Sequence, residues 1–162
     1  MDGLYSFSAE EWALLGDTPL AAGAVVALAS EGGGLHEANA MVTGWREAAA
    51  QFGRSALVAE VAARMDPEAR EEEGGDRSFG PPPSYDALLN EALDMCERAV
   101  DLLAARAAPD DVADYRGFVM AIAEKVARAN SESGLLGVGG PAVSPDERSA
   151  LRMIARALGY GR

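Results

Sequence analysis

Histidine, cysteine and lysine occur once each, as His36, Cys96 and Lys125. One cysteine excludes an internal disulfide and any Cys-based metal set, and it fits a reducing cytoplasm. With one histidine, any Ser-His-Asp or Cys-His catalysis has to run through His36, which stands between Leu35 and Glu37 at the start of a helical stretch. The ordinary reading there is a capping or surface residue. No G-x-S-x-G, H-E-x-x-H or E-x-x-H sequence occurs, and the last absence removes the di-iron carboxylate bundle, which needs two such pairs. No stretch alternates apolar and polar residues, so no sheet is expected. The start, MDGLYSFSAEEW, lacks a basic segment followed by a long apolar core, so a secretory signal is not expected. The longest apolar run, Pro19 to Ala29, is too short to span a bilayer, so neither is membrane insertion.

Basic charge is also scarce. The 162 residues carry 14 basic and 26 acidic groups, net −12, which argues against nucleic acid or anionic lipid as a partner, because both need a basic footprint. Half the chain is hydrophobic and a quarter charged, a balance that places it among single globular domains and not among disordered acidic chains.

The clearest element present is SYDALLNEALDMCERAVDLLAARA, Ser84 to Ala107. At 100° per residue, Tyr85, Leu88, Leu89, Ala92, Leu93, Met95, Cys96, Ala99, Val100, Leu102 and Leu103 fill one half of a helix, and Asp86, Asn90, Glu91, Asp94, Glu97, Arg98 and Asp101 the other. An apolar arc of about 180° exceeds the roughly 100° stripe of a helix with one neighbour. The expectation is a central helix touching two or three others, with Cys96 an inert core thiol.

Around it the chain reads as further helices. Ser8 and Glu11 form a capping box and Phe7 staples onto Trp12, opening a short helix to about Leu15. Thr18, with Pro19 at the first helical position, opens a second, buried helix that ends at Glu31 and three glycines. Helices from about Leu35 to Phe52 and from Ser55 to Met65 follow. Pro67 to Pro83, PEAREEEGGDRSFGPPP, is expected to be a mobile or irregular acidic linker. Beyond the helix of 84–107, Pro109 breaks the chain and Asp110 or Asp111 starts a long helix to about Asn130. Its Val112, Tyr115, Phe118, Val119, Ile122, Ala123 and Val126 share one face, expected to lie antiparallel on the central helix. Gly134, Gly137, Gly139 and Gly140 follow a helix, with no Lys-Ser/Thr pair after them, and read as a connecting loop. Ser144, Pro145 and Glu147 open a last helix lined by Leu151, Ile154, Ala155 and Leu158. The sum is an all-α single-domain bundle of about six or seven helices, with N-terminal helices over 1–66, the linker 67–83 and C-terminal helices over 84–162.

Two features bear on function. Arg148, Arg152 and Arg156 recur every four residues along the last helix, while residues 1–83 carry 14 acidic and 5 basic groups, so the last helix is a candidate interaction face. The segments ALASEGGGLHEANAM and AEKVARANSESGLLGVGGPAVSPDERSALRMIARALG, moreover, repeat one order: buried helix, glycine loop, acidic helix start, second helix. That repetition resembles the tellurium-resistance TerB-like helical proteins. Glu31 with Gly32 matches the family's Asp-Gly position and Glu37 its helix-opening glutamate. Glu147 matches that glutamate in the second copy, where Asn130 and Ser131 stand at the Asp-Gly position. The resemblance implies an all-helical fold in two pseudo-repeated halves, and divalent-metal ligation by acidic groups, here Glu31, Glu37, Glu132, Asp146 and Glu147. The residues themselves, with few carboxylates near the loops, point first to a non-enzymatic interaction or scaffold protein of the bacterial cytoplasm, without cofactor. Its partner would be another protein or a second copy. A small-ligand or divalent-metal module of TerB-like type is the alternative.

Overall fold

A computed structural model describes residues 5–29, 35–66, 84–132 and 144–161, and the side chains of all of these but 35–38 and 130–132. The expected linker 67–83 and the second glycine loop lie outside these residues. Among the described residues there are six helices and no strand: α1 (Ala9–Leu28), α2 (Leu35–Gln51), α3 (Ala56–Arg64), α4 (Tyr85–Arg106), α5 (Pro109–Glu132) and α6 (Pro145–Ala157).

The first two expected helices are one. α1 runs unbroken for 20 residues with Pro19 inside it. A proline within a helix removes the amide that would bond the carbonyl four residues earlier, here that of Leu15. The vacancy is filled from another helix: the Tyr115 hydroxyl donates to the Leu15 carbonyl at 2.8 Å. One residue earlier, Thr18 Oγ1 donates to the Leu14 carbonyl at 2.7 Å. Thr18 and Tyr115 are both fully buried, so this satisfaction is supplied by protein. Pro19 therefore reads as a helix start by local rules and is carried through the helix by a tertiary bond. Being continuous, α1 also has the length to cross a bilayer, and its mean hydropathy is 1.2. Half of its residues are buried within the bundle, however.

The expected starts elsewhere are observed. Ser8 and Glu11 close a reciprocal capping box, and Phe7 meets Trp12 edge to face, with ring centroids 5.0 Å apart. Ser55, Ser84 and Ser144 each accept from the amide three residues on. At α5 the proline itself takes the first helical position, where its missing amide costs nothing, so Asp110 and Asp111 lie in the first turn and not at the cap. α6 ends in a Schellman motif: Gly159, at φ 98°, donates to Arg156, and Tyr160 donates to Ala155.

The centre of the bundle is α1 with α5, each of which touches all the other helices. The 84–107 helix does touch three others, as expected, but the centre of the bundle lies elsewhere. α4 packs on α1, α5 and α6, and its apolar half is only partly covered: Ala92, Cys96, Ala99, Val100 and Leu103 are buried, while Leu88, Leu89, Leu93 and Leu102 are half-buried. α5 does pack on α4, as expected, but presses more widely on α2 and α1. All seven residues expected on its inner face are buried. The helices of 5–66 thus interleave with those of 84–161 around one core. Close approach is permitted at bare backbone: a Cβ on Gly16 would lie 2.3 Å from Met65, and one on Gly117 2.6 Å from the Phe52 ring.

Burial pushes the Cys96 thiol up to about 12 and raises the Tyr115 hydroxyl far above its ordinary 10.0. Both groups are held neutral by the fold and ionise more readily in the unfolded chain. The stability they contribute is therefore fully present below about pH 9 and lost as pH rises from there. Native protein is expected to leave Cys96 unmodified by a thiol reagent at neutral pH and to show a falling denaturation midpoint above about pH 9. Prompt modification of the folded chain would contradict this placement.

Candidate functional site

α6 is an amphipathic helix whose two sides are chemically opposite. Ala150, Ile154, Ala157 and Leu158 are buried, and Arg148, Arg152 and Arg156 are exposed. At 100° per residue the three arginines lie within an arc of about 80°, centred opposite the buried residues, so the stripe points away from the bundle. The face actually buried is rotated from the expected one: Leu151 and Ala155 are half-buried, and Ala150 and Ala157 take the inner positions.

Five other cations meet carboxylates, whereas Arg54 and Arg116 are joined to no described carboxylate. Arg64, Arg98 and Arg128 each reach a carboxylate four residues earlier, at 2.8, 3.6 and 4.0 Å, while Arg106 meets Glu11 at 2.8 Å and Lys125 meets Glu47 at 3.4 Å. Four residues before Arg148, Arg152 and Arg156 stand Ser144, Arg148 and Arg152. No ion pair joins any of the three to a described carboxylate. Like charges at this spacing destabilise a helix by about 0.2–0.5 kcal/mol per pair. Arg156, in the last turn, gains from the helix dipole, but no described carboxylate offsets the repulsion.

The acidic candidates at the start of α6 separate in environment. Asp146 is exposed, whereas Glu147 is 2% exposed and accepts from the Ser144 hydroxyl at 3.1 Å through Oε1. Its Oε2 is buried with no hydrogen-bond partner. Glu31 lies outside the described residues, and only the backbone of Glu37, Glu132 and His36 is described. Among the described residues no group of three His, Cys, Asp or Glu side chains could hold a metal ion. One buried carboxylate and one exposed neighbour do not make the six to eight oxygens of a calcium site, so the described donors do not fit a divalent cation by themselves.

Two further constellations went unread in the sequence. Asp111 accepts from Ser55 Oγ at 2.7 Å and from the Tyr5 hydroxyl. Arg106, which holds Glu11, also donates to the Ser6 carbonyl and lies over the Phe7 ring at 4.9 Å. Together these fasten the segment before α1 onto the α4–α5 turn. The hydrogen bond from the Ser8 amide, with the Arg106 guanidinium, lowers the Glu11 pKa. The only local signal was three aromatics in eight residues, since the partners lie about a hundred positions away. Secondly, α2 and α5 border a groove of about 420 Å3. Two of its charged pairs, Glu47 with Lys125 and Glu124 with Arg128, neutralise one another.

No protein-family model, curated protein or solved structure matches the chain.

For the metal ligands named above, the expected outcome is that micromolar calcium, magnesium or zinc leaves Tm unchanged. A ligand bound only by the folded state at a hundred times its Kd adds about 2.7 kcal/mol, worth several degrees in a domain of this size. A rise of that size, abolished by Glu31→Gln with Glu147→Gln, would establish a cation site instead.

Proposed function

We propose that this chain is a non-enzymatic helical interaction or scaffold protein of the cytoplasm, and that it docks a protein partner through the outward face of α6. The observation that carries this reading is the stripe itself: three exposed arginines at every fourth position on one outward helix face, none paired with a described carboxylate. An arginine fork matches carboxylates bidentately, so a partner that presents acidic side chains gains ion pairs and relieves the repulsion within the stripe. The net charge of −12 disfavours polyanions such as nucleic acid over most of the surface, and α6 is where three arginines stand together.

A second reading, a divalent-cation or small-ligand module of TerB-like type, has one observation in its favour, the unpartnered Oε2 of Glu147. The first turn of a helix already favours negative charge by about 0.3–1 kcal/mol, which accounts for the carboxylate without a metal, and the docking reading is preferred for that reason.

A photo-crosslinking amino acid in place of Arg152 tests the docking face in cells. A discrete protein adduct is expected, and it should fade when Arg148 and Arg156 are changed to Glu. If no adduct forms, or if the same adduct forms from a probe on the exposed side of α3, α6 is not the docking face.

A further inference from the structure

We infer that the partner of the α6 face is a second copy of this chain, the two copies meeting about a two-fold axis with α6 of each on the outward face of α4 of the other. The inference rests on the reading of α6 as the docking face and names what docks there.

α4 supplies the complement. Its Asp86, Glu91, Asp94, Glu97 and Asp101 are all exposed. Residues 86, 94, 97 and 101 follow at helical spacings that keep them on one side, opposite the buried Ala92, Cys96, Ala99 and Leu103. The cation among them, Arg98, only reaches Asp94 at 3.6 Å, with both side chains more than 60% exposed. From Asp94 to Asp101 is about 10.5 Å along the helix, and from Arg148 to Arg156 about 12 Å, so the two ridges match in length.

α4 and α6 are neighbours in the bundle. Desolvation first, and then the charge of Asp146 on α6, raises the Tyr85 pKa at the start of α4. The molecule therefore carries an acidic ridge beside a basic one. A surface of that kind is complementary to itself: a two-fold rotation lays each basic ridge on the partner's acidic ridge, and every contact is made twice. Two of the three large hydrophobic residues exposed among the described residues, Tyr85 and Tyr160, lie at the start of α4 and just beyond α6, and tyrosine is enriched in interface cores. Because each copy is net −12, contacts that set acidic surfaces against one another are opposed, whereas this arrangement sets basic against acidic twice. Charge opposition selects this face.

Sedimentation of the full chain tests the inference. A concentration-dependent dimer is expected at low ionic strength, lost at about 1 M salt, where the screening length falls to about 3 Å. Arg148→Glu with Arg152→Glu and Arg156→Glu should abolish it, as should Asp94→Arg with Asp101→Arg, while an equimolar mixture of the two variants should form a heterodimer. Helical content by circular dichroism confirms that each variant folds, and the salt response of the unmodified chain needs no variant. A monomer at every concentration, or a dimer indifferent to salt and to both variants, overturns the inference. In the first case a crosslink from position 152 to a different protein leaves α6 standing as a docking face, and the absence of any adduct removes both.

Discussion

A single buried hydrogen bond, from the Tyr115 hydroxyl to the Leu15 carbonyl, decides whether the first helix of this protein is one element or two. Pro19 strips the helical partner from that carbonyl, and an unsatisfied buried acceptor costs about 1–3 kcal/mol. The replacement donor sits on α5, so α1 can run through the core only in the one register that brings Tyr115 under the proline. Thr18, bonding back to Leu14, completes the turn. With α1 and α5 locked together, α2 lies mainly on α5, α3 lies on both, α4 lies mainly on α1, and α6 closes over α4, α1 and α5. The outward directions of α4 and α6, on which the docking reading depends, are thus set from the core.

Local signals in the sequence were faithful wherever structure is local. The serine caps, the buried face of α5 and the glycine stop after α6 could all be read from a few neighbouring residues, because each depends on one turn of backbone or one helical period. Pro19 misled for the opposite reason: its tolerance within α1 depends on a hydroxyl 96 positions later in the chain. The central rank given to the helix of 84–107 failed because periodicity measures how wide an apolar arc is and not how much of it is covered. α4 leaves several leucines half-buried, while α5 surrenders a whole face to its neighbours.

The candidate site divides in the same way. The i, i+4, i+8 run of arginines was visible as spacing. Its isolation was not, because that rests on the carboxylate partners of Arg64, Arg98, Arg106, Lys125 and Arg128. The acidic half of α4 was visible as a solvated face, and only its position beside α6 gives it a possible counterpart. Arg54 and Arg116 also lack a described carboxylate partner, so what distinguishes α6 is the alignment of three such arginines. Exposed ion pairs contribute about 0–1 kcal/mol each, so docking built on them is weak singly and depends on several pairs forming together.

A double-mutant cycle on Pro19 and Tyr115 tests most directly whether the fold hinges on this bond. Tyr115→Phe removes the donor and should cost about 1–3 kcal/mol in the natural chain. Pro19→Ala returns a helical amide to the Leu15 carbonyl, and in that background the same change should cost much less, a coupling within the roughly 0.5–3 kcal/mol seen for interacting residues. Equal costs in the two backgrounds would show that Tyr115 serves α1 only as packing and that the continuous helix has another cause.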